Sequence, residues 1–94
     1  MKVLIVEDEQ ELLQSIVSFL KGSGMTCEVA TNLTDAIDKI DTNDYDCIVL
    51  DIGLPDGSGL KLIEELQKKD HQTGVVIVSA RNSLEDRLTG LNIG

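Results

Sequence analysis

Hydrophobic positions along the chain alternate between two patterns, short extended runs and longer stretches with helical spacing. Four segments of four to six residues have the first pattern. They are residues 2–6, 25–30, 47–50 and 75–78. Short runs rich in Val, Ile and Leu predict β-strands, and runs that are apolar at consecutive positions are typical of strands covered on both faces of a sheet.

The stretches between these strands place apolar residues at helical spacing. Residues 9–21 form the first such stretch, and a second begins at Asn32 or Thr34, either of which can cap it. Residues 53–59 hold the single proline of the chain and three of its glycines, so we expect a loop there. Ser58 can then cap a third helix.

A fourth helix opens at residues 83–86, whose sequence has the spacing of a capping box. The predicted order is therefore a strand followed by a helix, four times over. Such alternation favours a parallel sheet in which each strand connects to the next by a right-handed crossover. Because no linker or low-complexity segment interrupts residues 1–94, we expect a single α/β domain.

Composition narrows the classes of function. Acidic residues number 17 against eight basic ones, and the resulting formal charge of -9 repels nucleic-acid phosphates and anionic lipid surfaces. We therefore expect no direct nucleic-acid or membrane partner for this domain. The apolar runs are too short to span a bilayer, and residues 1–20 lack the basic start and apolar region of a signal peptide, so we expect a cytoplasmic location.

The two cysteines, Cys27 and Cys47, do not have the spacing of a CxxC motif or of a zinc site. Both lie inside apolar, strand-like runs. Free cysteine commonly behaves as a small hydrophobic side chain, so we interpret both as reduced packing residues.

Acidic residues follow two of the predicted strands at the point where each strand ends. Glu7 and Asp8 come after the first strand, and Asp51 comes after the third. Sites in open parallel sheets form at the carboxyl ends of the strands, so we expect these three carboxylates to lie close together. Their mutual repulsion is tolerated when a hard divalent cation binds, and Mg2+ is the natural candidate because it retains positions for water and phosphate oxygens.

Phosphoryl transfer is the chemistry that such a cluster favours. With the metal shielding the incoming negative charge, the carboxylate of Asp51 can attack phosphorus and form an acyl phosphate. Ser79 follows the fourth strand at the same edge, where its hydroxyl can donate a hydrogen bond to a phosphoryl oxygen. The small side chain of Ala80 leaves room for that group.

These residues resemble those of the receiver domains of two-component response regulators, in the CheY-like superfamily, and the resemblance covers the whole chain. Residues 2–9 are similar to the family's first strand with its acidic pair, and residues 49–59 are similar to its phosphorylation-site loop. Ser79 and Ala80 complete the match. Residues 83–94 further resemble receivers of the OmpR/PhoB type, which precede a winged-helix DNA-binding domain.

The resemblance implies a flavodoxin-like, doubly wound parallel sheet with strand order 2-1-3-4. It implies a phosphorylation-dependent signalling switch and not an enzyme with an external substrate. A sensor histidine kinase would donate the phosphoryl group, and Asp51 would accept it. In a longer parent protein, the domain would regulate transcription.

The resemblance also implies roles for individual residues at the metal. Asp8 and Asp51 would be carboxylate ligands of Mg2+. Glu7 would be an outer ligand through water, and the backbone carbonyl of Gly53 would make a third direct contact.

Further implied roles concern the shape of the site. Pro55, Gly59 and Ala80 would shape it, and Ser79 would be the switch hydroxyl that follows the phosphoryl group. In the family a fifth strand carrying a lysine and a fifth helix come next, and we expect this receiver to be C-terminally incomplete. Residues 75–78 would then form an edge strand, which favours self-association or a homodimer.

Two other interpretations stay open. The chain could be an inactive or structural receiver fragment that keeps the acidic site without holding phosphate. It could instead be a phosphohydrolase that works through an aspartyl phosphate, although that class would need a carboxylate where this chain has Gly53. The absence of that acid disfavours the phosphohydrolase.

Overall fold

The computed structural model describes residues 1–69 and 72–78. Its strands are β1 (Lys2–Val6), β2 (Thr26–Ala30), β3 (Cys47–Leu50), β4 (Gly53–Leu54), β5 (Gly57–Ser58) and β6 (Gly74–Ile77). Its helices are α1 (Gln10–Gly22), α2 (Leu33–Thr42) and α3 (Leu60–Lys68). The predicted fourth helix lies outside the described residues. Within the described ranges, no helix is long and apolar enough to cross a bilayer.

The four longer strands form one parallel sheet in the order β2-β1-β3-β6. The predicted order 2-1-3-4 is therefore confirmed, because β6 is the fourth long strand along the chain. This order makes β1 and β3 adjacent, with Val6 opposite Leu50 at their carboxyl ends. Whatever follows these two strands is brought to the same edge of the sheet.

Hydrophobic layers cover both faces of the sheet. The larger layer joins the sheet to α2 and α3. Its buried members are Leu4, Val6, Ala30, Leu33, Ala36, Ile40, Tyr45, Ile48, Leu50, Leu54, Leu62 and Leu66. The opposite layer lies under α1 and has Val3, Ile5 and Leu13 at its buried centre. Successive side chains of β1 point to opposite faces, so its uninterrupted apolar sequence follows from cover on both sides.

Side-chain caps determine where the first two helices begin. Asn32 precedes α2, and its side-chain oxygen accepts a hydrogen bond from the backbone N–H of Asp35 at 2.8 Å. Of the two candidate caps in the sequence, Asn32 is therefore the one used, while Thr34 lies inside the helix. Glu9 precedes α1, and its carboxylate accepts from the backbone N–H of Leu12 at 2.9 Å.

The predicted loop of residues 53–59 contains a two-stranded antiparallel hairpin formed by β4 and β5. Gly53 pairs with Ser58, and Leu54 pairs with Gly57, whose φ of 152° suits only glycine. Ser58 lies just before α3, and its hydroxyl oxygen accepts a hydrogen bond from the backbone N–H of Leu60 at 3.2 Å. The segment is thus an ordered turn of chain between β3 and α3.

The cysteines lie on the two strands that flank β1. Cys27 and Cys47 both pair with Val3, one from each side. Two strand spacings of about 4.8 Å separate them, which exceeds the roughly 7 Å that a disulfide can bridge between Cα atoms. Burial raises the pKa of the Cys47 thiol. Both cysteines are free and half-buried, which fits the packing role.

Candidate metal and phosphoryl site

Three carboxylates meet at the carboxyl edge of the sheet. Glu7 and Asp8 follow β1 and Asp51 follows β3, and each contributes a carboxylate oxygen that lies within 4.8 Å of the others. The backbone here continues the strand pairing, because the N–H of Asp51 donates to the carbonyl of Val6 at 2.9 Å. In the same way, the N–H of Glu7 donates to the carbonyl of Ala30 at 3.0 Å. The acidic side chains are thus held on a rigid framework.

The three acids differ in exposure to solvent. Glu7 is only 2% exposed and Asp51 is 6% exposed, whereas Asp8 is exposed. The cluster is therefore open to solvent on the side of Asp8. Burying a carboxylate without a compensating partner is costly, so the two inner acids bear most of the electrostatic penalty.

Burial is the main cause of a raised pKa at Glu7, which reaches about 7. A hydrogen bond from the backbone N–H of Glu9 to Glu7 Oε1, at 3.1 Å, opposes this rise, and the negative charges of Asp51 and Asp8 add to it. Burial likewise raises the pKa of Asp51, against a 3.3 Å hydrogen bond from the N–H of Gly53 to Asp51 Oδ1. Near neutral pH, the site therefore retains a proton that isolated carboxyls would release.

The donor set fits a hard divalent cation. All three side chains offer carboxylate oxygens, the ligands that Mg2+ prefers. The salt bridges of residues 1–69 and 72–78 all involve other acids. The carboxylates of this site are therefore free of a lysine partner in the part of the chain that the structure describes, and a bound cation would relieve their mutual repulsion.

The loop behind Asp51 leaves no space for a side chain at Gly59. A Cβ atom there would overlap the backbone carbonyl oxygen of Asp51 and lie 2.9 Å from Leu50 Cδ1. The N–H of Gly59 donates to the carbonyl of Ile52 at 2.7 Å, which closes the loop directly behind Asp51. Glycine is therefore required at this position by close backbone approach. Pro55 lies in the exposed turn of the hairpin.

Asp56, a residue that sequence reasoning missed, joins this loop to α2. Its carboxylate accepts hydrogen bonds from the backbone N–H of Leu33 at 2.6 Å and from the N–H of Thr34 at 3.0 Å. The hydroxyl of Thr34 donates a third hydrogen bond at 2.8 Å. The partners are 22 and 23 positions apart along the chain, so no local sequence pattern could have indicated the contact.

Ser79 and Ala80 lie outside the described residues. The N–H of Val78 donates to the carbonyl of Leu50 at 2.8 Å, which places the residue just before Ser79 beside the carboxyl end of β3. Their predicted roles stay predictions.

The family model of the response regulator receiver domain matches residues 3–94. This chain belongs to the response regulator receiver family. The match covers nearly the whole chain, and the predicted family is confirmed. The chain is thus a signalling domain of the two-component class, whose receivers take phosphate from sensor kinases and bind Mg2+ at an acidic pocket.

Relatives with curated descriptions are bacterial transcription regulators. The chain is 36% identical over 94 residues to the transcriptional regulatory protein BasR of Escherichia coli (strain K12), covering 100% of this chain and 42% of BasR. It is 37% identical over 94 residues to the transcriptional regulatory protein PmrA of Pectobacterium parmentieri, with the same coverage. This receiver therefore spans less than half the length of these relatives.

Solved structures of receivers superpose closely on this chain. The receiver domain of the Francisella response regulator 1452 has a TM-score of 0.82 at 35% identity, over 99% of this chain and 77% of that chain. A CheY-like receiver from Methanospirillum hungatei JF-1 has a TM-score of 0.83 at 30% identity, over 99% of this chain and 74% of that chain. The predicted flavodoxin-like α/β fold is confirmed.

Proposed function

We propose that this receiver accepts a phosphoryl group on Asp51 from a sensor histidine kinase. The observation that carries the proposal is the meeting of three carboxylates within 4.8 Å at the carboxyl edge of β1 and β3. Asp51 is the acceptor because it belongs to the loop that matches the family's phosphorylation site, and because the exposed Asp8 leaves the cluster open to a donor. Its product is a change of conformation, so the domain is a switch and not an enzyme acting on an external substrate.

The transfer is a nucleophilic displacement at phosphorus. A carboxylate oxygen of Asp51 forms a new O–P bond while the bond from phosphorus to the imidazole nitrogen of the donor breaks. The electron pair of the broken bond stays on that nitrogen. The product is an acyl phosphate, which water later hydrolyses to inorganic phosphate and the free carboxylate.

Mg2+ is the cofactor that we propose for this site. Asp8, Asp51 and the carbonyl of Gly53 would hold it directly, and Glu7 would contact it through water. When bound, it supplies positive charge that offsets the charge of the phosphoryl oxygens. The carboxyls of Glu7 and Asp51 would then be ionised, because a nearby cation lowers the pKa that burial raises.

The remaining site residues would shape the loop beside Asp51 or respond to its phosphorylation. Gly59 keeps the loop close behind Asp51, and Pro55 turns the hairpin. Ser79 would donate its hydroxyl to the phosphoryl group, with Ala80 leaving space for that movement. Ordering of a segment by a new phosphoryl charge is a common way for a switch to change state.

Within a longer protein, this receiver would regulate transcription in the cytoplasm. This proposal draws on BasR and PmrA, both named transcriptional regulatory proteins. The formal charge of -9 disfavours DNA binding through the receiver itself, so DNA contact would need a further domain. In a chain without the family's fifth strand, β6 would be an edge strand with Val76 51% exposed, and self-association through this edge is the homotypic contact that we propose.

Intact-mass measurement after incubation with acetyl phosphate tests the acceptor. We expect a Mg2+-dependent phosphoryl adduct on the wild type and on Asp38→Asn, a matched change of an exposed aspartate on α2. Asp51→Asn should give no adduct. An equal adduct on Asp51→Asn would refute the assignment, and no adduct on any variant would favour the inactive receiver.

A further inference from the structure

The hairpin that follows Asp51 is attached to the start of α2 at its tip. Asp56 lies between β4 and β5 and is the acceptor of all three hydrogen bonds that join the two elements, two from backbone N–H groups and one from the Thr34 hydroxyl. These bonds lower the pKa of the Asp56 carboxyl. The hairpin thus ends in a carboxylate that is ionised at neutral pH and aimed at a helix N-terminus.

Two residues share the capping of α2. Asp56 takes the N–H groups of Leu33 and Thr34, and Asn32 takes the N–H of Asp35. An α-helix leaves its first N–H groups without intrahelical partners, so both residues stabilise the same helix end. Of these two caps, Asp56 is the one that comes from another part of the molecule.

The hairpin also joins Asp51 to the core. Leu54 is buried in the layer under α2 and α3, and the N–H of Gly53 donates to Asp51 Oδ1 at 3.3 Å. The N–H of Gly59 closes the loop on Ile52 at 2.7 Å. A shift of the hairpin tip would therefore be transmitted to the backbone of Gly53 beside the acceptor carboxylate.

We infer that Asp56 is a positioning residue that sets the Mg2+ affinity of the site by holding the hairpin, and with it Gly53, against Asp51. This inference rests on the proposed function in one respect, that Asp51 and Gly53 hold the metal. Asp56 acts through the backbone, since its carboxylate is committed to α2. Loss of the attachment should leave the three carboxylates of Glu7, Asp8 and Asp51 in place while freeing Gly53 to move.

The comparison of Asp56→Ala with Asn32→Ala separates positioning from helix stability. Both variants remove a cap from the same end of α2, so both should lower the melting temperature. Only Asp56→Ala releases the hairpin. Binding is measured by titrating MgCl2 into 15N-labelled protein and following the backbone amide shifts of Ile52 and Gly53.

We expect Asp56→Ala to raise the dissociation constant for Mg2+ by roughly three- to tenfold and to slow phosphorylation by acetyl phosphate. Asn32→Ala should stay within about twofold of the wild type. Asp56→Asn, which retains an acceptor oxygen, should fall between them, and it replaces Asp56→Ala if that variant does not fold.

Two results would overturn the inference alone. The first is a wild-type Mg2+ affinity in Asp56→Ala and Asp56→Asn, and the second is an equal loss of affinity in Asn32→Ala, which would make the role of Asp56 purely structural. The absence of a saturable response in the wild type itself would overturn the proposed metal site together with the inference.

Discussion

Buried or half-buried acids lie towards both ends of the parallel sheet, but their pKa values shift in opposite directions. At the carboxyl end, Glu7, Asp8 and Asp51 form what we term the carboxyl-end cluster, in which burial raises the pKa of Glu7 and of Asp51. Towards the amino end, Lys2, Glu28 and Tyr45 form the amino-end cluster, in which the pKa of Glu28 is lowered.

Partners explain the low pKa in the amino-end cluster. The hydroxyl of Tyr45 donates to Glu28 Oε1 at 2.6 Å, and this hydrogen bond is the largest cause of the shift. The ammonium group of Lys2 lies 3.4 Å from Glu28 Oε2 and 5.0 Å from the centre of the Tyr45 ring. Glu28 is thus compensated by the protein itself, and its charge stabilises the fold.

The carboxyl-end cluster accepts backbone hydrogen bonds but lacks a cationic partner among the described residues, so its charges are held at a cost in free energy. Strongly perturbed acids that gather in one place are characteristic of functional sites, because a ligand can supply what the protein omits. The comparison teaches that an acid's partners, and not its residue type, distinguish an acid that stabilises the fold from one kept for a ligand.

The two ends also differ in how closely other atoms pack around a glycine, and this difference gives the largest expected effect on stability. Gly59→Ala should destabilise the protein by about 3 kcal/mol, because its Cβ would overlap the backbone of Asp51. Gly74→Ala, at the amino end of β6, should stay within about 0.5 kcal/mol, since its Cβ would meet only the carbonyl of Asp46 at 3.7 Å. Urea unfolding measures both, and equal losses would contradict the expected difference in packing.

Without Mg2+, the carboxyl-end cluster should make stability fall as the pH rises. The pKa of Glu7 is about 7 in the folded protein and 4.5 in its ordinary state, so between these values the folded state retains a proton that the unfolded state has released. Each increase in pH within this window therefore favours unfolding, by a total on the order of 3 kcal/mol.

Urea unfolding at about pH 5 and about pH 7.5 checks this window in the wild type and in Glu7→Gln. The variant has no carboxyl to titrate at this position, so its free energy of unfolding should change much less between the two pH values. An unchanged slope in Glu7→Gln would show that Glu7 is not the source. Glu28 affects stability in the opposite direction. Its pKa is lowered in the folded protein, so stability is lost only as the pH falls below the ordinary pKa of 4.5.

Tyr45→Phe tests the amino-end cluster while it preserves the ring. The change removes the hydroxyl that donates to Glu28 and should reduce the free energy of unfolding by about 1.5 kcal/mol, the usual contribution of a hydrogen bond to a charged group. The Mg2+ affinity should be unchanged, since Tyr45 precedes β3 whereas the three acids of the carboxyl-end cluster follow β1 and β3. A loss of Mg2+ affinity in this variant would show that the two ends are coupled.

Binding of Mg2+ at the carboxyl-end cluster should raise the free energy of unfolding, and this is the smallest of the four effects that we expect. At a concentration five times its dissociation constant, a ligand that binds only the folded state adds about 1 kcal/mol. We expect this gain in melting experiments on the wild type and on Tyr45→Phe, and its loss in Asp51→Asn. A gain that persists in Asp51→Asn would place the metal elsewhere.

Local patterns in the sequence determined most of the fold and the members of the carboxyl-end cluster. Apolar runs and helical spacing are properties of neighbouring residues, so the four long strands and the first three helices could be predicted before their packing was known. Parallel strands end at one edge, and this rule alone indicated that Glu7, Asp8 and Asp51 would meet.

Tertiary structure alone decided how those acids differ and what surrounds them. Glu7 and Asp8 are adjacent in sequence, yet one is 2% exposed and the other is exposed, a difference that depends on what packs around the chain just after β1. The bond from Tyr45 to Glu28 spans 17 positions, and the bond from Leu33 to Asp56 spans 23. Such contacts depend on how the crossovers bring distant segments together, which the sequence near either partner does not encode.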